Sequence, residues 1–144
     1  VGEKTAEDIK IAVGSAFSLK EGLSMPVRGR DLVSGLPKEV MVTDEQIREG
    51  LSRSIRIIIN NIKTVIEETP PELLSDVMQR GVIIAGGGSM IRNLDKLIAN
   101  QTEMPVRVME DPLTAVVRGI GIVLEDLETL REVLVEDQRE KAFK

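Results

Sequence analysis

The chain has 144 residues, 42% apolar and 30% charged, a globular balance with room for one domain or two small subdomains. Its net charge of -5 argues against the clustered Lys and Arg that neutralise phosphates, and two Phe with neither Trp nor Tyr leave almost no rings to stack bases, so nucleic acid is not expected as a partner. Cys and His are both absent, which rules out disulfides, thiol nucleophiles, zinc clusters, Ser–His–Asp catalysis and His-ligated metals within this chain.

Chemistry is thereby left to carboxylates, Lys, Arg, hydroxyls and backbone groups. The lack of cysteine fits a cytoplasmic protein, and no run approaches the roughly 18 apolar residues of a membrane span. The start, VGEKTAED, is charged and helix-like rather than a signal peptide. Without an initiator Met, the sequence is expected to be a piece of a longer chain.

Residues 3–17 predict an amphipathic helix, with Ala6, Ile9, Val13 and Phe17 at helical spacing and Glu3, Glu7 and Lys10 on a polar stripe. Gly14 and Gly22 mark the exit into a loop. Residues 26–43 read as a β-hairpin with a long loop: Val27 lies before Ser34, Gly35 and Pro37, and the alternating Val40 and Val42 after them. Thr43 and Gln46 form a capping box. A long helix should follow, burying Ile47, Leu51, Ile55, Ile58, Ile62 and Val65.

A second helix start is expected at Thr69-Pro70-Pro71-Glu72, with Thr69 as the cap and Pro70 in the first helical position. That helix should run to about Gln79 and end at Gly81 in a left-handed cap. Val82–Ala85 read as a short strand covered on both faces. The spacing then predicts a helix over 89–99 with Met90, Leu94, Leu97 and Ile98 inward, and a strand over 105–109. A last helix should be capped by Asp111-Pro112, with Val116, Ile120, Val123, Leu127 and Leu130 on its inner face. The charged tail EDQREKAFK should fray. The second half therefore alternates strand and helix, the mark of an α/β layer, whereas the first half is a small α+β lobe.

Gly86-Gly87-Gly88, followed by Ser89, sit between a buried strand and a helix. In open α/β sheets, ligands bind at the carboxyl ends of strands. Glycine lets backbone approach a ligand without an intervening Cβ, and free N–H groups at the start of the next helix would suit an anion. A tight turn required only by packing is the competing reading. The motif is neither a Walker A loop nor G-x-G-x-x-G. On periodicity alone, Glu7 and Lys10 read as a solvated ion pair. Glu67-Glu68 have no evident acid or base partner.

VGEKTAEDIK, VRGRDLVSGLPKEV, ETPPELLSDVMQRGVIIAGGGSMIRNLDKL and MPVRVMEDPLTAVVRGIG together resemble the MreB family, bacterial actin homologues that organise rod shape. The resemblance runs from residue 1 to about residue 130. It implies the actin/Hsp70/hexokinase fold (ribonuclease H-like), an α/β actin-like ATPase of two lobes with ATP or ADP and Mg between them. This chain would be most of the second lobe: residues 1–43 most of its smaller upper subdomain, residues 44–144 its larger lower one.

Carried over residue by residue, the resemblance assigns the adenosine side of the site to Glu7, Asp8, Ile9 and Lys10 on the helix. It also assigns Ala85, Gly86, Gly87, Gly88 and Ser89 of the loop, with Met90 flanking them. Ala85 replaces a Thr common in the family. The phosphate hairpins and the Mg-positioning carboxylates would precede this sequence, so the parent should be a polymerising ATPase while this part alone should not hydrolyse ATP. Implied partners are other copies in filaments, the membrane adaptor RodZ and the cell-wall elongation machinery, with membrane association through other parts of a cytoplasmic parent. Alternatives are an FtsA-like or Hsp70-like member of the fold, a sugar or acetate kinase lobe, and a non-enzymatic interaction module whose glycines only turn the chain.

Overall fold

A computed structural model describes residues 1–131, so the charged tail expected to fray lies outside the described residues. The chain begins with helix α1 (Glu3–Val13), four residues shorter than the periodicity predicts, because the chain turns extended at Gly14 and Phe17 is left exposed. A hairpin follows, of β1 (Ser24–Arg30) and β2 (Pro37–Thr43), paired antiparallel with Val27 opposite Val40. Its turn is organised by Asp31, whose carboxylate accepts from the Val33 and Ser34 N–H groups at 2.8 and 3.1 Å and from Lys38 Nζ at 3.2 Å. Ile9 and Val13 of α1 pack on Val27 of the hairpin and form one small core.

Helix α2 (Asp44–Glu68) is 25 residues long, roughly 37 Å at 1.5 Å per residue. It opens on the expected capping box, in which the Thr43 hydroxyl accepts from Gln46 N and Gln46 Oε1 accepts from Thr43 N. Ile47 enters the first core, whereas Ile55 and Ile59 build a second with Ala16, Leu94 and Ile98. The expected inner face is corrected in part. Ile55 is 4% exposed, but Ile58 is 44% exposed and Val65 also faces out, because the contact face turns through 55 and 59 rather than 58. Thr69 does not open the next helix. Its hydroxyl donates to Val65 O at 2.7 Å and closes α2, and Pro70 takes the cap position before α3 (Pro71–Arg80).

Gly81 ends α3 at φ 78°, ψ -173°, a glycine-only extended mirror conformation rather than the expected left-handed helical cap. A Cβ at Gly81 would collide with the Pro105 carbonyl, which accepts from Val82 N at 2.8 Å, so the glycine lets two strands meet. These are β3 (Val82–Ile84) and β4 (Val106–Val108), paired in parallel. Between them run a single 3-10 turn (Gly87–Met90) and helix α4 (Leu94–Thr102), and α5 (Ala115–Glu125) comes last.

Several expectations for this half are overturned. The continuous helix over 89–99 is replaced by a 3-10 turn and a break at Asn93, a non-glycine residue at φ 59°, and Met90 faces out. Asp111 and Pro112 precede rather than cap α5, which follows Thr114, whose hydroxyl donates to Asp111. β3 is not covered on both faces, since Ile83 is 51% exposed, and α5 exposes Val116 and Ile120. A helix as apolar as α5 is stable when buried, and two three-residue strands offer too little surface for that. Among the described residues, no helix is long and apolar enough to cross a membrane.

The two cores are joined by a buried polar cluster. The Asp44 carboxylate accepts from Leu23 N at 3.0 Å and from Arg48 Nη1 at 2.9 Å, and the same Nη1 donates to the fully buried Ser15 hydroxyl at 3.1 Å. The Arg48 guanidinium chiefly holds the Asp44 carboxyl below the usual carboxylate range; burial opposes it with the next-largest effect, and the Leu23 N–H adds a smaller lowering.

Two stability predictions follow from these contacts. Ile55→Asp should cost several kcal/mol by burying an unpaired charge, whereas Ile58→Asp should cost about 1 kcal/mol or less. Urea midpoints of both variants check this, and comparable losses would show the α2 contact face to be misplaced. Because the folded carboxyl of Asp44 titrates below its unfolded value of about 3.9, its contribution is complete above that pH and lost as pH falls through the folded value. Asp44→Asn should therefore lower stability at neutral pH and flatten the acid limb of a pH-dependent melt, and an unchanged acid limb would argue against the pairing.

Candidate functional site

Between α1 and the segment after β3 lies an open cleft of about 510 Å³, within the size range of small-molecule sites. One wall is α1, which presents Glu7, Lys10, Ile11 and Gly14. These positions follow i, i+3, i+4, i+7 spacing, so they share one helix face. The opposite wall is the segment after β3, with Gly87, Met90, Ile91 and Arg92, and Leu113 closes the cleft from the loop before α5.

Three of the residues expected at the site, Glu7, Lys10 and Gly87, are thus brought to face one space. Gly86 and Gly88 flank Gly87 in the turn, and Ala85 is exposed just before it. Ser89 turns inward, where its Oγ donates to Gly86 O at 2.7 Å, so its hydroxyl braces the turn. Ile9 is core, packed with Val13 and Val27. Asp8 lies on another flank of α1, beside Arg28 and Glu39 in a separate shallow depression. Of the residues that sequence reasoning did not assign, Ile11 and Gly14 were readable from the spacing of Glu7 and Lys10. Arg92 and Leu113 carried no sequence signal, since only the fold brings them there.

The glycine turn has a different geometry from the one expected. Gly86 sits at φ 81°, ψ 168°, a region essentially reserved for glycine, and its N–H donates to Pro112 O at 2.7 Å. Because α4 begins only at Leu94, the turn does not aim a helix N-terminus into the cleft. The anion-binding element of the sequence reading is therefore replaced by bare main chain. A Cβ added at Gly88 would meet nothing within 4 Å, and one at Gly87 would meet only Leu113 Cδ2 at 3.5 Å, an ordinary contact. Packing within the chain thus does not require glycine at 87 or 88, and at Gly87 the absent side chain leaves room on the cleft side.

Lys10 Nζ lies 3.7 Å from a Glu7 carboxylate oxygen, with the side chains 41% and 64% exposed. Such an exposed pair contributes under about 1 kcal/mol, so either partner can turn to a ligand at little cost. Lys10 and Arg92 together outnumber Glu7, which gives the cleft a local positive balance within a chain of net charge -5.

The chain is a mixed α/β protein whose fold, matched against solved structures, is actin-like. Among solved structures, MreB5 of Spiroplasma citri bound to ADP is similar with a TM-score of 0.85 and 38% identity, over 92% of this chain and 40% of that one. The same protein bound to AMPPNP gives a TM-score of 0.84. The MamK double helical filament shares the fold, with a TM-score of 0.74 and 24% identity over 88% of this chain and 38% of that one. The family model for the MreB/Mbl protein matches residues 1–132, and the chain belongs to that family. It is 43% identical over 130 residues to the cell shape-determining protein Mbl of Bacillus subtilis, covering 90% of this chain and 39% of that protein. It is also 43% identical over 125 residues to the cell shape-determining protein MreB of Escherichia coli, covering 87% and 36% respectively. The chain thus spans well under half the length of these relatives.

The backbone geometry of the turn leads to a separable expectation. Gly86→Ala should destabilise by about 1–3 kcal/mol through backbone strain, whereas Gly87→Ala should leave the fold within roughly 0.5 kcal/mol of wild type. Denaturant unfolding of the two variants measures the difference, and equal losses would mean that position 87 is also constrained by packing.

Proposed function

We propose that this chain supplies the adenosine-side half of the nucleotide site in an ATP-dependent, filament-forming bacterial actin homologue that organises cell-wall synthesis and rod shape. The observation that carries the reading is the cleft itself. A main-chain wall at Gly87, free of any packing need for glycine, faces Glu7 and Lys10 across a space of ligand size. ADP and AMPPNP in the similar MreB5 structures support a nucleotide as the ligand.

In this reading the purine rests against Gly86, Gly87, Gly88 and the apolar Met90, while Glu7 and Lys10 reach its polar edge and the ribose. Bare backbone suits that contact because a flat ring can approach it closely. Asp8, Ile9, Ala85 and Ser89 would then support the walls rather than touch the ligand. The phosphates and their Mg would be held by segments outside this sequence. Among the described residues, no three acidic side chains converge on a point. The chain alone is accordingly proposed not to hydrolyse ATP.

The division into an upper part, residues 1–43, and a lower part, residues 44–144, belongs to the same proposal; the two cores follow it in the main, with Ala16 crossing into the lower one and Ile47 into the upper. The exposed apolar residues Ile83, Val116 and Ile120 fit a lower part whose sheet is completed by further strands of a longer protein. Self-association into filaments draws support from the hairpin tip, where Leu32 and Val33 are almost wholly exposed. Docking of the adaptor RodZ, contact with the cell-wall elongation machinery, a cytoplasmic location and membrane association through other segments complete the proposed setting.

Calorimetric ATP titration of a full-length protein carrying this sequence tests the reading. Gly87→Asp should abolish binding, because its side chain fills ligand space and its charge repels phosphates, while circular dichroism stays native. Lys10→Ala should weaken binding by roughly 10-fold, as for one lost polar contact. Normal ATP affinity in Gly87→Asp would reduce the triple glycine to a turn.

A further inference from the structure

The walls of the cleft belong to segments about eighty residues apart in sequence, and one residue links them. The Arg92 guanidinium donates through Nη1 to Ile11 O at 2.8 Å and to Gly14 O at 3.3 Å. Its own carbonyl accepts from Ala16 N at 2.8 Å, within a parallel bridge between Ser15 and Arg92. Side chain and main chain of one residue therefore grip the stretch 11–16 at both ends. The grip falls on the end of α1, where carbonyls lack helical partners and a cation is favoured. Asn93, the next residue, extends it by donating from Nδ2 to Ser18 O at 3.4 Å.

We propose that Arg92 is a positioning residue of the cleft, a strut that holds the α1 wall at the separation from the glycine turn at which both touch one ligand. This rests on the nucleotide reading of the cleft. Arg92 also lines the cleft, so direct contact with a ligand phosphate is the rival role. The bond geometry favours the strut, because the guanidinium nitrogen that makes these bonds is engaged by two backbone carbonyls. The two roles also differ in what they do to affinity. A strut acts on the shape of the purine and ribose slot, so its loss weakens every ligand that carries adenosine by one common factor. A phosphate contact weakens ATP more than ADP, leaves adenosine unaffected, and fades as salt screens it.

The experiment is a binding titration with adenosine, ADP and ATP, at low and high salt, on full-length protein carrying this sequence. It compares wild type with Arg92→Ala and Arg92→Gln, each beside a thermal melt. Arg92→Ala is expected to weaken all three ligands about 10-fold, the equivalent of about 1.4 kcal/mol, independently of salt. Arg92→Gln, which keeps one donor but no charge, should recover part of the loss. If the alanine variant does not fold, a uniform partial loss in Arg92→Gln supports the strut equally. Wild-type affinity in either folded variant, with only the melting temperature lowered, would overturn the proposal and leave the nucleotide reading intact. A loss that grows from adenosine to ATP would overturn it in favour of phosphate contact. Failure of wild type to bind any of the three would overturn the nucleotide reading and the strut with it.

Discussion

The arrangement depends on how the end of α1 is tied to the segment that follows the glycines. A helix cannot leave its last carbonyls unpaired in a partly buried joint without cost. Here the Arg92 guanidinium supplies donors to Ile11 and Gly14, and the Ser15–Arg92 bridge adds a main-chain bond beside them. A few residues away, Arg48 joins Ser15 to Asp44, and Asp44 in turn holds Leu23 through both its carboxylate and its N–H. Two arginines thus clamp the short crossing between the cores. That clamp acts beside the packing of Ile9 and Val13 with Val27 and Ile47, which also positions α1.

The cleft is unusual in where its specificity can reside. Glu7 and Lys10 are exposed and weakly paired, so their pairing adds little to stability. Its glycine wall presents backbone, which cannot be altered by changing a side chain and can only be blocked by adding one. Gly86 is constrained by its own φ, Gly81 by the approach of Pro105, and Gly87 and Gly88 by neither. Four glycines within eight residues therefore stand under different constraints, and the last two are held by neither backbone conformation nor packing.

The uncovered apolar surface has a consistent physical meaning. Ile83 of β3 and the outer face of α5 are the places where a two-stranded sheet runs out of area. The hairpin tip differs, since Asp31 and Lys38 hold the turn while Leu32 and Val33 project from it. An uncovered sheet surface and a projecting apolar tip are distinct kinds of exposure, the first left by a lack of covering layers and the second by the shape of a turn.

Local signals determined much of this protein from sequence. The capping box at Thr43 worked as read because its four groups lie within one turn of chain. The hairpin followed from alternation around Gly35 and Pro37, and the strand–glycine pattern located the turn at 86–88. The shared face of Glu7 and Lys10 was legible for the same reason, as helical spacing is a local property. Other features were decided by the tertiary structure. Both Ile58 and Ile59 suit an inner helix face, and only contact with Leu94 and Ile98 selects 59. Residues 89–93 look helical in composition, yet they form a 3-10 turn and an αL break, and Arg92 accepts through its carbonyl from Ala16 N instead of continuing a helix. Thr69 could have capped either helix, and its hydroxyl went to Val65. Arg92 had no pattern to mark it, because its partners lie about eighty residues away and such pairing is set by packing rather than by spacing.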